Sequence, residues 1–244
     1  MAYKLNKKIL PLALTFCNLT CGILSLTMAF FGFLDLGVYF LLLGGVFDFF
    51  DGWLAYKTRC KTELGKRVDS FADLVTFGVA PVFLYLRFSS LVPLSFRLVT
   101  IIIYISSTVF RLARFNLLTQ RKIKNYFTGL PTTAAGCLLA SYLLFSTRFN
   151  PRLAGWITTP SIILLSFLMV SDLRYPDLKS IKKRWLFMII VLCILLHLFL
   201  MGSLNLIGII FIIFLAYLVY GLITGLRLAI CNNCHLSMFR LIIF

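Results

Sequence analysis

The chain has 244 residues, 61% of them apolar, with 24 basic residues against eight acidic ones and a formal net charge of +16. A mean hydropathy of +0.98 excludes an ordinary water-soluble domain. The apolar runs are continuous rather than alternating, which excludes a transmembrane barrel and leaves an all-α integral membrane protein.

Stretches close to the ~20 apolar residues that cross a bilayer predict eight spans at 11–33, 36–56, 65–87, 97–118, 130–147, 156–173, 186–202 and 204–226. The first follows the basic segment Met1–Lys8 in the manner of a signal peptide. No small-residue cleavage site comes after it and Asn18 interrupts it, so it is expected to be retained. With the N-terminus in the cytoplasm, alternate sides receive twenty and four basic residues, the four being Arg87, Arg97, Arg148 and Arg152. That asymmetry follows the positive-inside rule and places both termini in the cytoplasm. It assigns the basic charge to topology and anionic headgroups, with no nucleic-acid partner.

The seven cysteines have no framework spacing and read as reduced thiols. Cys231-Asn232-Asn233-Cys234-His235 spells a haem-attachment pattern. Its place in a cytoplasmic tail argues against covalent haem, and no second ligand pair completes a zinc site.

Five of the eight acidic residues fall between positions 48 and 73. Asp48 and Asp51 are three apart near the end of the second span, while Asp69 and Asp73 are four apart early in the third. Those spacings put each pair on one helix face. A short loop makes the helices antiparallel neighbours, so four carboxylates meet at one depth near the interface. Lys57, Arg59, Lys66 and Arg67 could neutralise them as a merely solvated face, but four short carboxylates in two pairs also form a hard-oxygen ligand set. Such a set suits Mg²⁺ or Mn²⁺, with two ions sharing ligands. Gly52, Ala55 and Gly65 lie on the same side and leave room for a flat group beside the ions. Metal and flat-group cleft together suggest a nucleotide diphosphate.

The run Asp48-x-x-Asp51-Gly52-x-x-Ala55-Tyr56-x8-Gly65-x-x-x-Asp69-x-x-x-Asp73 resembles the signature of the CDP-alcohol phosphatidyltransferases, matching seven of its eight fixed residues. Tyr56 departs from it, since the family has Arg there; Arg59 and Lys57 are candidates to replace that cation. The resemblance implies a six-helix core over residues 1–180, two further spans over 181–230 and a tail over 231–244. It implies metal ligation by Asp48, Asp51 and Asp69 with Asp73 joining them as general base. It also implies a cytidine cleft formed by Gly52, Ala55 and Gly65 beside Asp51. Further runs are similar to the bacterial serine-type branch: Asp69-Ser-Phe-Ala-Asp73 through Pro81, Phe110-Arg111-Leu-Ala-Arg114-Phe-Asn116, and Tyr126-Phe-Thr-Gly129-Leu-Pro131. That branch implies CDP-diacylglycerol and L-serine as substrates, a homodimer, and a site at the cytoplasmic face of the inner membrane.

Arg111 and Arg114, three apart on one face, can hold a phosphate or a carboxylate. Asn18 serves either as an interhelical hydrogen bond or as a substrate contact. Two other readings stay open: the same chemistry with glycerol 3-phosphate or inositol, and a cation transporter. A transporter places its charges near the bilayer midplane within repeated halves, and no repeat is visible here.

Overall fold

The computed structural model describes residues 2–58, 63–118, 126–146, 151–176, 208 and 210–225. Eight helices carry the described chain: α1 (Ala2–Phe30), α2 (Leu34–Thr58), α3 (Glu63–Asp73), α4 (Ala80–Phe88), α5 (Leu94–Leu118), α6 (Thr132–Ser146), α7 (Pro151–Val170) and α8 (Ile210–Gly225). Helices occupy seven of the eight expected span positions, α3 and α4 sharing one. The span expected at 186–202 and the Cys231, Cys234 and His235 cluster lie outside the described residues. Leu10–Phe30, Glu63–Phe88 and Leu94–Leu117 are long and apolar enough to cross a membrane, and the apolar stretches of α6, α7 and α8 are shorter. The eight-span count therefore stays an expectation.

α1 and α2 form a hairpin. Gly32, at φ +87°, sits just past the end of α1, where a left-handed residue costs glycine nothing. The Phe33 amide then donates to Met28 O at 2.9 Å. From α4, Arg87 donates through Nε to Ala29 O and through Nη2 to Phe30 O. A cation on the last carbonyls of a helix meets the negative end of its dipole. Arg97 treats α4 in the same way through Leu86 O at 2.8 Å.

The third expected span is one helical rod from Glu63 to Phe88, but it is not regular. Between α3 and α4, residues Leu74–Val79 take π geometry, with the Ala80 amide donating back to Val75 O. Pro81 explains the break, because it has no N–H to give Phe77 O and its ring crowds that carbonyl. Tyr104 Oη, from α5, donates to Phe77 O at 3.1 Å instead.

This π segment is the centre of the bundle, and small residues let its neighbours close in. A side chain on Gly22 would strike Thr76, and one on Gly44 would stand 2.8 Å from Thr76 Cγ2. One on Gly136, in α6, would stand 2.8–3.0 Å from Phe77 Cβ, Cα and O. Backbone cannot yield as a flexible side chain does, so Gly136→Val is expected to cost about 1–3 kcal/mol through overpacking. A lowered unfolding temperature of the detergent-solubilised protein would register it. An unchanged temperature would show that the helices can separate.

Two departures from expectation follow at one end of the bundle. α7, at the sixth expected span, stops at Val170, short of the expected Leu173, and Arg174–Pro176 forms β2. β2 pairs antiparallel with β1 (Tyr126–Thr128), Phe127 opposite Tyr175. This ribbon is the only β-structure among the described residues. Gly129, at φ +76°, turns the chain from β1 toward α6 with its amide on Leu173 O at 2.8 Å. Any side chain there would collide with Met169 O.

Candidate active site

The two aspartate pairs of α2 and α3 meet. Carboxylate oxygens of Asp48, Asp51 and Asp69 all lie within 4.8 Å of one another, and the three could hold a metal ion. Asp73, one turn beyond Asp69, is buried next to this group and within hydrogen-bond reach of Asp48.

Three of the four carboxylates accept a hydrogen bond from α1 or α6. Thr15 Oγ1, in α1, donates to Asp51 Oδ2 at 2.9 Å. Asn18 Nδ2, one turn further along α1, donates to Asp73 Oδ1 at 3.4 Å, a long bond. Thr133 Oγ1, in the first turn of α6, donates to Asp48 Oδ2 at 2.9 Å. Sequence reasoning singled out Asn18 but not Thr15 or Thr133. The available signals were that Thr15 precedes Asn18 by three residues, and that Thr133 opens a helix just after Pro131.

A cluster of carboxylates at this depth requires positive charge. Arg111 stands within electrostatic range of both Asp73 and Asp48. It is 8% exposed and donates through Nη1 to Thr132 Oγ1 at 2.8 Å. Its Nε is buried with no hydrogen-bond partner.

Arg114 is engaged elsewhere. It donates to Val170 O at 3.0 Å, Ser171 O at 3.0 Å and Asp172 Oδ1 at 2.9 Å. Those bonds fasten the end of α7 and the approach to the ribbon. Behind the site, Lys66 Nζ reaches Asn116 O at 3.1 Å, and Asn116 Nδ2 donates to Ser70 Oγ at 3.0 Å, tying α3 to the end of α5.

The cleft residues divide. Gly52 is exposed, and a side chain there would meet nothing within 4 Å, so space is open directly beside Asp51. Gly65 stands one turn before Asp69 in α3. Lys57, a candidate to replace the missing motif arginine, holds its Nζ over the Trp53 ring, 4.8 Å from the centroid. Arg59 and the side chains of Ala55 and Tyr56 lie outside the described residues.

The donor set fits a divalent ion, with carboxylate oxygens only, convergent from two rigid helices and already oriented by hydroxyl and amide donors. Open space lies on one side at Gly52 and a guanidinium on the other at Arg111. Such a pocket can accept a phosphate-bearing ligand and place a buried carboxylate beside it.

Comparison with known proteins is consistent with this geometry. The family model described as CDP-alcohol phosphatidyltransferase matches residues 8–167. The CDP-diacylglycerol–serine O-phosphatidyltransferase of Bacillus subtilis (strain 168) is 34% identical over 171 residues, covering 70% of this chain and 92% of that protein. The archaetidylserine synthase of Methanothermobacter thermautotrophicus is 37% identical over 172 residues, covering 68% and 69%. A CDP-diacylglycerol–serine O-phosphatidyltransferase of Methanocaldococcus jannaschii is 34% identical over 165 residues, covering 66% and 71%.

Proposed function

We infer the reaction from one premise: this chain belongs to the CDP-alcohol phosphatidyltransferase family and is a membrane transferase of phospholipid biosynthesis. It moves the phosphatidyl group of CDP-diacylglycerol onto the hydroxyl of L-serine and releases CMP. The relatives named above differ in the lipid their names carry and share serine, which favours serine over glycerol 3-phosphate or inositol. The observation that carries the reading is the convergence of Asp48, Asp51 and Asp69 within 4.8 Å beside buried Asp73.

Asp48, Asp51 and Asp69, with Asp73 adjoining, would hold Mg²⁺ or Mn²⁺, two ions by the family resemblance. When bound, the ions supply electrostatic stabilisation to the diphosphate and to the charge that develops on departing CMP. The chain's own residues do the rest. Gly52, with Ala55 and Gly65, leaves backbone bare for the flat cytosine ring next to Asp51. Thr15, Asn18 and Thr133 fix the carboxylates so that they need no reorganisation when charge moves. Asp73 accepts the proton of the serine hydroxyl as that oxygen attacks the lipid-side phosphorus; the P–O bond to CMP breaks and CMP carries away the electron pair. A neutral alcohol is a poor nucleophile at pH 7, so a base within hydrogen-bond reach lowers the barrier. Arg111 offers its unpartnered Nε to an anionic group of substrate. Arg114 acts by holding the floor of the pocket, and Arg59 is retained as a candidate phosphate contact.

The twenty-to-four division of basic residues supports a site and both termini facing the cytoplasm at the inner membrane. A homodimer rests on the resemblance alone. The deciding assay gives the purified protein CDP-diacylglycerol with L-serine, glycerol 3-phosphate or inositol and measures CMP and labelled lipid. Serine is expected to be used at least roughly a hundredfold better than either, the discrimination of a site that hydrogen-bonds its substrate. Preference for another alcohol would reassign the acceptor while leaving the family chemistry in place.

A further inference from the structure

Asp73 is the last residue of α3, and the π turn Leu74–Val79 begins directly after it. A π turn holds one residue more than an α turn. It therefore swings the helix before it by about 100° relative to the helix after it, the angle of one residue at 3.6 per turn. α4 is not free to take up that rotation: Ala80, Pro81, Val82, Leu84 and Tyr85 are buried, and Arg87 is bound to the end of α1. The rotation falls on α3 and on the carboxylate at its end.

Two side chains fasten the π turn through adjacent residues. Thr20, Thr100 and Thr108 bond the carbonyl four residues back in their own helices, a common use of a helical hydroxyl. Thr76 instead donates to Asn18 O, in α1, at 3.1 Å, and Asn18 returns the contact through Nδ2 to Asp73 Oδ1 at 3.4 Å. Gly22 leaves space for the first bond, since any side chain there would strike the Thr76 hydroxyl. From α2, a side chain on Gly44 would stand 2.8 Å from Thr76 Cγ2 and 3.1 Å from Asn18 Oδ1, so α2 closes over the same pair. On the other side, Tyr104 Oη reaches the Phe77 carbonyl, which Pro81 leaves without an amide, at 3.1 Å. Asn18, Thr76, Phe77 and Tyr104 are fully buried, and a polar group that loses its partner in such surroundings is costly.

We propose that Thr76 and Tyr104 are positioning residues for Asp73: by holding the π turn against α1 and α5, they set the angle at which its carboxylate faces the acceptor hydroxyl. This deepens the reading of Asp73 as the base and rests on it. Both residues act through Asp73 rather than on substrate. Loss of either bond loosens the segment and lets the carboxylate next to it drift off line. Asp69 stands a full turn further from the π turn, and Asp48 and Asp51 belong to α2, so the ligand cluster is disturbed much less than the base.

The test uses the full-length enzyme in detergent, with turnover counted per mole of monodisperse protein. Each variant is assayed with its acceptor alcohol and with hydroxylamine, which attacks while neutral and needs no base. Thr76→Val keeps the branched shape and removes the hydroxyl. It is expected to lower kcat with the alcohol about tenfold, the equivalent of one lost hydrogen bond, and with hydroxylamine less than about twofold. The KM for CDP-diacylglycerol should also move less than about twofold, the pattern of an interaction that matters only in the transition state. Tyr104→Phe should give the same split from the α5 side, and Thr76→Ser, which keeps the hydroxyl, should restore most of the loss. Equal losses with the two nucleophiles, or an alcohol rate that moves in neither variant, overturn the positioning role. Asp73→Asn, assayed alongside, separates the two readings. If it slows both nucleophiles equally, the base reading fails and the positioning role with it. If it slows the alcohol selectively while Thr76→Val and Tyr104→Phe do not, only the positioning role fails.

Discussion

Replacing Asp48 or Asp69 by Asn is expected to lower CMP release by roughly a thousandfold or more, the several kcal/mol that a divalent ion contributes to a phosphoryl transition state. An amide has the volume of a carboxylate but is a much weaker ligand. Its oxygen can still accept from Thr133, which bonds Asp48 at 2.9 Å, so the loss should come without loss of membrane insertion or of the helical fold. EDTA should silence the wild-type enzyme to the same extent, and added Mg²⁺ or Mn²⁺ should restore it. Full turnover in metal-free buffer would remove the metal from the proposed mechanism. Asn variants that fail to insert would show instead that the carboxylates serve the fold.

Asp73→Asn should reduce turnover with serine by at least the ~10²-fold typical of lost general-base catalysis. The amide oxygen can still accept from Asn18, so the surroundings of the residue are preserved. A nucleophile that attacks while neutral does not need the base, and hydroxylamine should therefore lose far less than serine does. CDP-diacylglycerol binding should weaken only modestly. Equal losses with both nucleophiles, together with lost metal affinity, would make Asp73 chiefly a ligand and send the search for a base elsewhere.

The convergence of the aspartates was legible in the sequence because spacing on a helix is local geometry. Residues three and four apart share a face whatever surrounds them, and a short loop between two helices brings the faces together. The partners that hold those aspartates were less legible, since Thr15, Thr133 and Asp48 are joined only by packing across the bundle. Arg111 and Arg114 illustrate the limit. Equivalent on a helical wheel, they separate because one faces Asp73 and the other meets the carbonyls that end α7. The π segment had its cause in view, Pro81 three residues after Gly78, but continuous hydropathy reads straight through such a break. The ribbon between residues 126–128 and 174–176 pairs positions nearly fifty residues apart, which no short window can see. α8 was expected as a span, but hydropathy could not show that Phe211 packs on Phe145 or that Gly221 lies against the Tyr175 ring.

That α1 supplies a donor to Asp51 and another to Asp73 has a consequence for biosynthesis. Chains leave the ribosome N-terminus first, so Thr15 and Asn18 emerge ahead of all four aspartates. Each acidic segment that follows is threaded in beside a waiting hydroxyl or amide. A carboxylate entering hydrocarbon alone is costly, and one that finds a polar neighbour is much less so. α1 is thus placed to act as an assembly template: α2 and α3, which bear the aspartates, can settle against it before Arg111 has emerged.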